Sequence, residues 1–234
     1  MNKLAVITGG TKGIGKALVN IFSENGLDIA VCARNLDDLN ELKEEVQQKY
    51  GNKVHIMRTD MSDKAEVEYF AKFIKSLEVP VEVLINNAGV FVPGEIHKEE
   101  DGVLEKMIET NLYSAYNMTR GLIKGMKKAK SGHVFNVCST ASFMAYVNGG
   151  SYCISKFALL GMTKVLREEM KEYGVRVTAV MPGATYTASW EGAGLPKDRF
   201  MRSKDVASAI WNAYEMSDRT VIEEIIMRPQ LGDI

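Results

Sequence analysis

The sequence predicts an α/β fold: a doubly wound parallel sheet with helices on both faces. Three observations predict it. Seven short apolar runs rich in β-branched residues alternate with six longer amphipathic stretches, the pattern of repeated βαβ units. Leu4-Ala5-Val6-Ile7 and Val83-Leu84-Ile85 are apolar without a break, as strands buried on both faces are. A glycine cluster follows the first run directly, where a chain turning tightly from strand to helix needs conformational freedom. Right-handed crossovers then lay about seven strands in one parallel sheet.

The first strand is Leu4–Thr8 and the first helix Gly13–Asn25. Asp28–Ala33 is the second strand. In the next helix, Leu36–Tyr50, Asp37 and Asp38 fall in the first turn, where the helix dipole favours acids. Val54–Thr59 and Lys64–Leu77 supply the third strand and helix, and Val81–Asn86 the fourth strand. Gly102–Lys128 reads as one long amphipathic helix. Lys124, Lys127, Lys128 and Lys130 cluster at its end, where the dipole favours cations. His133–Cys138, the long helix Ser151–Tyr173, Val175–Met181, the helix Ser203–Met216 and Val221–Met227 complete the series. The connection Thr185–Arg202 is longer than the others. It follows Pro182-Gly183 and contains Trp190, Gly192, Gly194 and Pro196. It leaves the carboxyl end of a strand, where ligands bind in open α/β sheets, and loops of this length are functional or mobile. The expectation is a substrate lid at about 185–202 within one domain spanning 1–234.

Composition narrows the function classes. Hydrophobic residues make up 46% and charged residues 25% of 234 residues, a normal globular balance. The formal net charge is −1, so no basic footprint for nucleic acid is present. Cys32, Cys138 and Cys153 are odd in number and lie in apolar contexts, which fits reduced thiols and a cytoplasmic location. His55, His97 and His133 are far apart, so no metal site is indicated. No apolar run reaches the ~18 residues of a membrane span. The amino terminus runs straight into a strand without a signal peptide.

The glycine cluster, Thr8-Gly9-Gly10-Thr11-Lys12-Gly13-Ile14-Gly15, reads as a phosphate cradle. Glycines let a pyrophosphate approach the helix amino terminus, where free N–H groups and the dipole favour anions. Gly9, Thr11, Lys12, Gly13 and Ile14 are the expected contacts. The spacing matches neither G-x-G-x-x-G nor the Walker loop. An NAD site places an acid at the end of the second strand, but Cys32-Ala33-Arg34-Asn35 stands there. Arg34 can grip a 2′-phosphate bidentately, with Lys12 as a second cation and Asn35 beside them. The expected cofactor is NADP(H).

Tyr152 and Lys156 stand four residues apart, and Ser139 precedes the tyrosine by thirteen. Residues i and i+4 share a helix face. A unit charge about 4 Å away is worth roughly 4 kcal/mol at an effective dielectric of about 20. That lowers a phenol pKa by up to about three units, from about 10. Tyr152 would then exchange a proton with a substrate oxygen near neutral pH.

Taken together, these motifs resemble the short-chain dehydrogenase/reductase family in its compact, NADP-preferring form, which implies a Rossmann-like, doubly wound sheet of about seven parallel strands in the order 3-2-1-4-5-6-7. The matches run in family order from residue 4 to about residue 187. The cofactor loop T-G-x-x-x-G-x-G is Thr8–Gly15, and N-N-A-G is Asn86-Asn87-Ala88-Gly89. The adenine-side acid resembles Asp60, followed by Met61. The active-site asparagine resembles Asn111, the serine Ser139, and Y-x-x-x-K Tyr152 to Lys156. The proline–glycine turn resembles Pro182-Gly183, with Thr185 and Thr187 following it to border the nicotinamide. The resemblance implies that Tyr152 is the acid–base group and that Lys156 tunes it and holds the nicotinamide ribose. Ser139 would orient the substrate oxygen. Asn111, at a helix irregularity, would carry a water linking Lys156 to solvent.

Phe91, Val92, Phe143, Met144, Tyr146, Tyr186 and Trp190 are expected to wall the substrate side, without an arginine among them. A ketone or aldehyde with apolar or aromatic flanks, or the corresponding alcohol, fits such a wall. The chain also resembles 3-oxoacyl carrier-protein reductases, for which Lys124, Lys127, Lys128 or Arg199 would meet an acidic carrier, and small carbonyl and sepiapterin reductases. Family members pair their long helices across a two-fold axis, which implies a homodimer or homotetramer. The alternative function is a non-catalytic dinucleotide sensor or scaffold on the same fold.

Overall fold

The computed structural model of the protein describes residues 3–187 and 194–234. Its strands are β1 (Leu4–Thr8), β2 (Asp28–Ala33), β3 (Val54–Arg58), β4 (Val81–Asn86), β5 (His133–Val137), β6 (Arg176–Pro182) and β7 (Glu224–Met227). Its helices are α1 (Gly13–Glu24), α2 (Leu36–Tyr50), α3 (Lys64–Ser76), α4 (Val103–Ile108), α5 (Ser114–Ala129), α6 (Gly150–Met170) and α7 (Ser203–Glu215). The strands pair in parallel as one sheet of order β3-β2-β1-β4-β5-β6-β7. This is the predicted order. From β1 the chain builds outward to β3, then returns to place β4 on the other side of β1. That reversal opens a crevice at the carboxyl ends of β1 and β4.

β1 shows why the runs are apolar throughout. Successive strand side chains point to opposite faces. Ala5 and Ile7 pack in the cluster with Leu18, Phe22, Leu39 and Ile210 of α1, α2 and α7. Leu4 and Val6 pack with Val67, Phe70, Met118 and Leu122 of α3 and α5. Burying each large aliphatic side chain contributes about 1.5–3 kcal/mol. A third cluster, including Leu159, Leu160, Ala179 and Met181, seats α6 on β6.

The predicted long helix Gly102–Lys128 is instead α4 and α5 joined by a π turn, Glu109–Tyr113. Its wider turn points Asn111 inward, where the side chain bonds the backbone of Val90. The amphipathic pattern runs on through this turn, so periodicity did not reveal it. The seventh strand starts at Glu224, not Val221, because Thr220 N closes a turn on Ser217 O and pairing with β6 begins at Ala179 and Glu224. The long connection returns to the sheet end: Thr185 and Met201 pair, and Tyr186 N donates to Met201 O at 2.9 Å. Trp190 lies outside the described residues. Among the described residues, no helix is long and apolar enough to cross a membrane.

Candidate active site

The cradle forms where β1 ends. Gly9 has φ +66, a conformation that favours glycine. A Cβ on Gly15 would lie 2.1 Å from Gly9 O, and one on Gly10 would lie 2.2 Å from Val31 Cγ2. The loop can therefore fold back on α1 and β2 only with glycine at both positions. Thr8 Oγ1 accepts from the N–H groups of Asn87 and Ala88, both at 3.0 Å. Asn87 Nδ2 donates to Thr8 O and Gly9 O, also at 3.0 Å. The Asn87-Ala88-Gly89 segment is thus tied across the cradle. Lys12, ahead of α1, makes no side-chain cap bond, so the first N–H groups of the helix are available to an anion. Thr187 is brought to the same mouth, its Cγ2 2.9 Å from the Cβ position of Gly13.

At the end of β2, Arg34 is exposed and makes no ion pair among the described residues. Lys12 pairs with Asp38 at 3.0 Å. Asn35 caps α2, its Oδ1 accepting from Asp37 N at 2.8 Å and Asp38 N at 3.1 Å. Asp60 accepts from Ser62 N at 2.9 Å. That backbone bond, helped by the charges of Arg34 and Arg58, holds its carboxyl below the usual range. The Met61 side chain is buried against Cys32.

Beyond β5, Ser139 Oγ accepts from Ala141 N at 3.1 Å, and Ser142 Oγ accepts from Ser139 N at 3.1 Å. This reciprocal cap fixes the serine beside Tyr152. Desolvation raises the Tyr152 phenol above its ordinary pKa, opposed by the neighbouring Ser139 hydroxyl. Lys156 is buried. Its Nζ donates to Val137 O at 2.9 Å and stands 5.8 Å from the centre of the Tyr152 ring. Burial lowers its pKa. The expected lowering of the phenol by the lysine is therefore not the condition of this structure; desolvation governs both groups.

Asn111 joins the pieces. Its Oδ1 accepts from Val90 N at 2.8 Å. Its Nδ2 donates to Val90 O at 3.0 Å and Ser155 Oγ at 2.9 Å. Ser155 Oγ in turn donates to Tyr152 O at 2.8 Å. A Cβ on Gly89 would lie 3.2 Å from Asn111 Oδ1 and 3.5 Å from Lys156 Nζ, so the glycine leaves room for both. Asn111, Ser139, Tyr152 and Lys156 thus gather beside the cradle's Gly89. Ser155 is a further member of the site that the motif leaves unspecified; its place between Tyr152 and Lys156 puts it one turn from the tyrosine carbonyl.

Phe91 meets the Tyr152 ring edge-on at 4.8 Å. Phe143, Met144 and Tyr146 are exposed beyond Ser139. The wall contains an arginine that sequence order concealed. β7 delivers Arg228 over the Phe143 ring at 5.6 Å, where its Nε bonds Asp233 Oδ2 at 2.9 Å. Gly183 N donates to Met227 O at 2.8 Å, which holds the turn after β6 against the end of β7. Thr185 Oγ1 donates to Gly183 O at 3.1 Å. Burial pushes the Cys138 thiol up to about 11 and raises Cys153, so neither is a nucleophile near neutral pH. A half-buried phenol beside a serine hydroxyl, at the mouth of an anion cradle, is equipped to move a proton to or from an oxygen.

The family model described as short chain dehydrogenase matches residues 3–196. The chain is 31% identical over 245 residues to the sepiapterin reductase of Chlorobaculum tepidum, covering 100% of this chain and 99% of that one. Among solved structures, an alcohol dehydrogenase from the archaeon Thermococcus sibiricus, complexed with 5-hydroxy-NADP, is similar at TM-score 0.91 and 26% identity. That match covers 98% of this chain and 97% of the other. A metagenomic short-chain oxidoreductase in complex with NADP is similar at TM-score 0.85 and 27% identity, covering 97% of each chain.

Proposed function

The chain belongs to the short-chain dehydrogenase/reductase family, and from that premise we propose that it reduces a ketone or aldehyde carbonyl to an alcohol, reversibly. It is an NADP(H)-dependent oxidoreductase. The observation that carries the carbonyl reading is the phenol of Tyr152, half-buried on the helix that also carries Lys156 and close enough to Ser139 to feel its hydroxyl. Burial favours the protonated phenol, the form that donates a proton to a carbonyl oxygen.

When bound, the dinucleotide supplies the hydride. The chain's residues bind and orient. The backbone of Gly9, Thr11, Gly13 and Ile14 receives the pyrophosphate. Arg34, with Lys12, receives the 2′-phosphate, and Asn35, Asp60 and Met61 border the adenine. Asn87, Ala88 and Gly89 border the adjoining ribose, and Pro182, Gly183, Thr185 and Thr187 border the nicotinamide. The contact of Thr187 with Gly13 supports this assignment, because it places the residues after β6 on the cradle itself. Tyr152 donates the proton, Ser139 orients the carbonyl oxygen, and Lys156 holds the ribose and supplies positive charge. Asn111 sets the Tyr152 backbone through Ser155. The 185–202 segment acts as the substrate lid of a single domain spanning 1–234.

The substrate side favours a small carbonyl compound over a carrier-bound one. Lys124, Lys127 and Lys128 stand at the end of α5, which leads into the amino end of β5, while the site lies at the carboxyl ends of the strands. Tyr113, Tyr116, Ile154, Phe157 and Val165 are exposed on and around α5 and α6, which supports pairing of these helices in a homodimer or homotetramer. The three free cysteines support a reducing, cytoplasmic setting. The test is loss of NADPH absorbance across a panel of ketones and aldehydes, run with both NADPH and NADH. Turnover of at least one carbonyl compound with NADPH is expected. A chain that binds NADPH and turns over none of them is a sensor or scaffold.

A further inference from the structure

The helix that carries Tyr152 begins without a cap of its own. Gly149, ahead of α6, offers no side-chain bond to the first turn, whose leading N–H groups have no partner within the helix. A carboxylate from a distant segment fills the gap. Glu99 Oε1 accepts from Ser151 N at 2.9 Å, and Glu99 Oε2 accepts from the Ser151 hydroxyl. Ser151 directly precedes Tyr152 and is 2% exposed. The helix dipole favours negative charge at this end.

The surrounding backbone is shaped to admit this carboxylate. Gly150 has φ +21, and a Cβ there would lie 2.1 Å from Glu99 Oε1. A Cβ on Gly94 would lie 2.7 Å from Glu99 Cγ. Gly94 N donates to Asn148 O at 3.0 Å, and Gly94 pairs with Gly149. The segment therefore lies directly against the start of α6. Upstream, the same segment presents Phe91 to the Tyr152 ring. The neighbouring cation, Lys98, pairs with Glu95 at 2.8 Å. Among the described residues Glu99 has no cationic partner, and its two oxygens serve α6.

We propose that Glu99 is a positioning residue for the proton donor. By clamping Ser151 it fixes the first turn of α6, and with it the phenol of Tyr152 relative to Ser139. This rests on the reading of Tyr152 as that donor. Glu99 itself touches none of the reacting atoms.

The test compares wild type, Glu99→Ala, Glu99→Gln and Tyr152→Phe on one carbonyl compound from the panel. It reads kcat, NADPH Kd by fluorescence titration, and the solvent deuterium isotope effect on kcat. Glu99→Ala is expected to lower kcat about 10- to 100-fold, the range a misplacement of about 1 Å produces, and to leave NADPH Kd within about twofold. The isotope effect should rise, because proton transfer becomes the slow step; a cap that serves stability alone would not move it. Glu99→Gln keeps an acceptor for Ser151 and should restore most of kcat. Wild-type kcat and isotope effect in Glu99→Ala would overturn the proposal, as would equal impairment in Glu99→Gln. If Glu99→Ala does not fold, Ser151→Ala removes only the hydroxyl arm. A fall in kcat of about fivefold, the worth of one hydrogen bond, then supports the clamp, and unchanged kcat overturns it. Tyr152→Phe separates the two readings. If it stays active, the donor is wrongly assigned; if it is inactive while Glu99→Ala is unimpaired, only the clamp is wrong.

Discussion

Lys156 Nζ donates to the carbonyl of Val137 at 2.9 Å, so a buried ammonium is anchored to the end of β5, two residues before Ser139. The lysine thereby joins the helix of Tyr152 to the strand that ends near the serine. Its loss removes both a charge and a tether. We predict that Lys156→Ala lowers kcat/KM about 10²- to 10³-fold, the cost of removing a stabilising donor from a closed site. Steady-state kinetics check this. NADPH affinity should weaken in the same variant, because the ribose loses its holder.

Arg34 is exposed at the end of β2 and makes no ion pair among the described residues, whereas Lys12 is partly neutralised by Asp38. Arg34 should therefore dominate recognition of a 2′-phosphate. A charge-assisted hydrogen bond contributes about 1.5–3 kcal/mol, or about 10- to 150-fold in affinity. Arg34→Ala is expected to raise KM for NADPH by that factor and to leave KM for NADH nearly unchanged. Parallel titrations with the two cofactors check the difference.

The pH dependence follows from burial. Desolvation raises Tyr152 and lowers Lys156. Carbonyl reduction uses the phenol proton. Its rate is full where the phenol is protonated and falls as pH rises through the phenol pKa. Alcohol oxidation needs the phenolate and rises over the same range. The two profiles should therefore cross on the alkaline side of neutrality in initial-rate measurements.

Gly15 has no room for a methyl group: its Cβ would lie 2.1 Å from Gly9 O. Gly15→Ala forces α1 away from the cradle. Such overpacking costs about 1–3 kcal/mol, so thermal unfolding should show a Tm lower by several degrees. NADPH binding should weaken in the same protein.

Much of this was legible in the residues. The unbroken apolar runs of β1 and β4 foretold a sheet buried on both faces, and the Thr8–Gly15 spacing foretold the cradle. Asn111, Ser139, Tyr152 and Lys156 stand out in the sequence by motif and spacing, and the fold gathers them. Other features depend on contacts that sequence spacing does not encode. The π turn at Glu109–Tyr113 preserves amphipathic periodicity on both sides. Arg228 reaches the Phe143 wall only because β7 pairs with β6. Glu99 reaches Ser151 across 52 residues through a loop folded by glycines. The direction of the Tyr152 shift is not legible in i,i+4 spacing, which gives proximity alone, because desolvation depends on the packing around the ring.

The most direct test is Tyr152→Phe, which removes one hydroxyl and keeps the ring packed against Phe91. NADPH binding and carbonyl-dependent NADPH oxidation are measured on the same preparation. Unchanged NADPH affinity with turnover lower by about 10²-fold or more is the predicted result, the share that general acid catalysis supplies. Near-wild-type turnover with intact NADPH binding would contradict the assignment of Tyr152 as the proton donor.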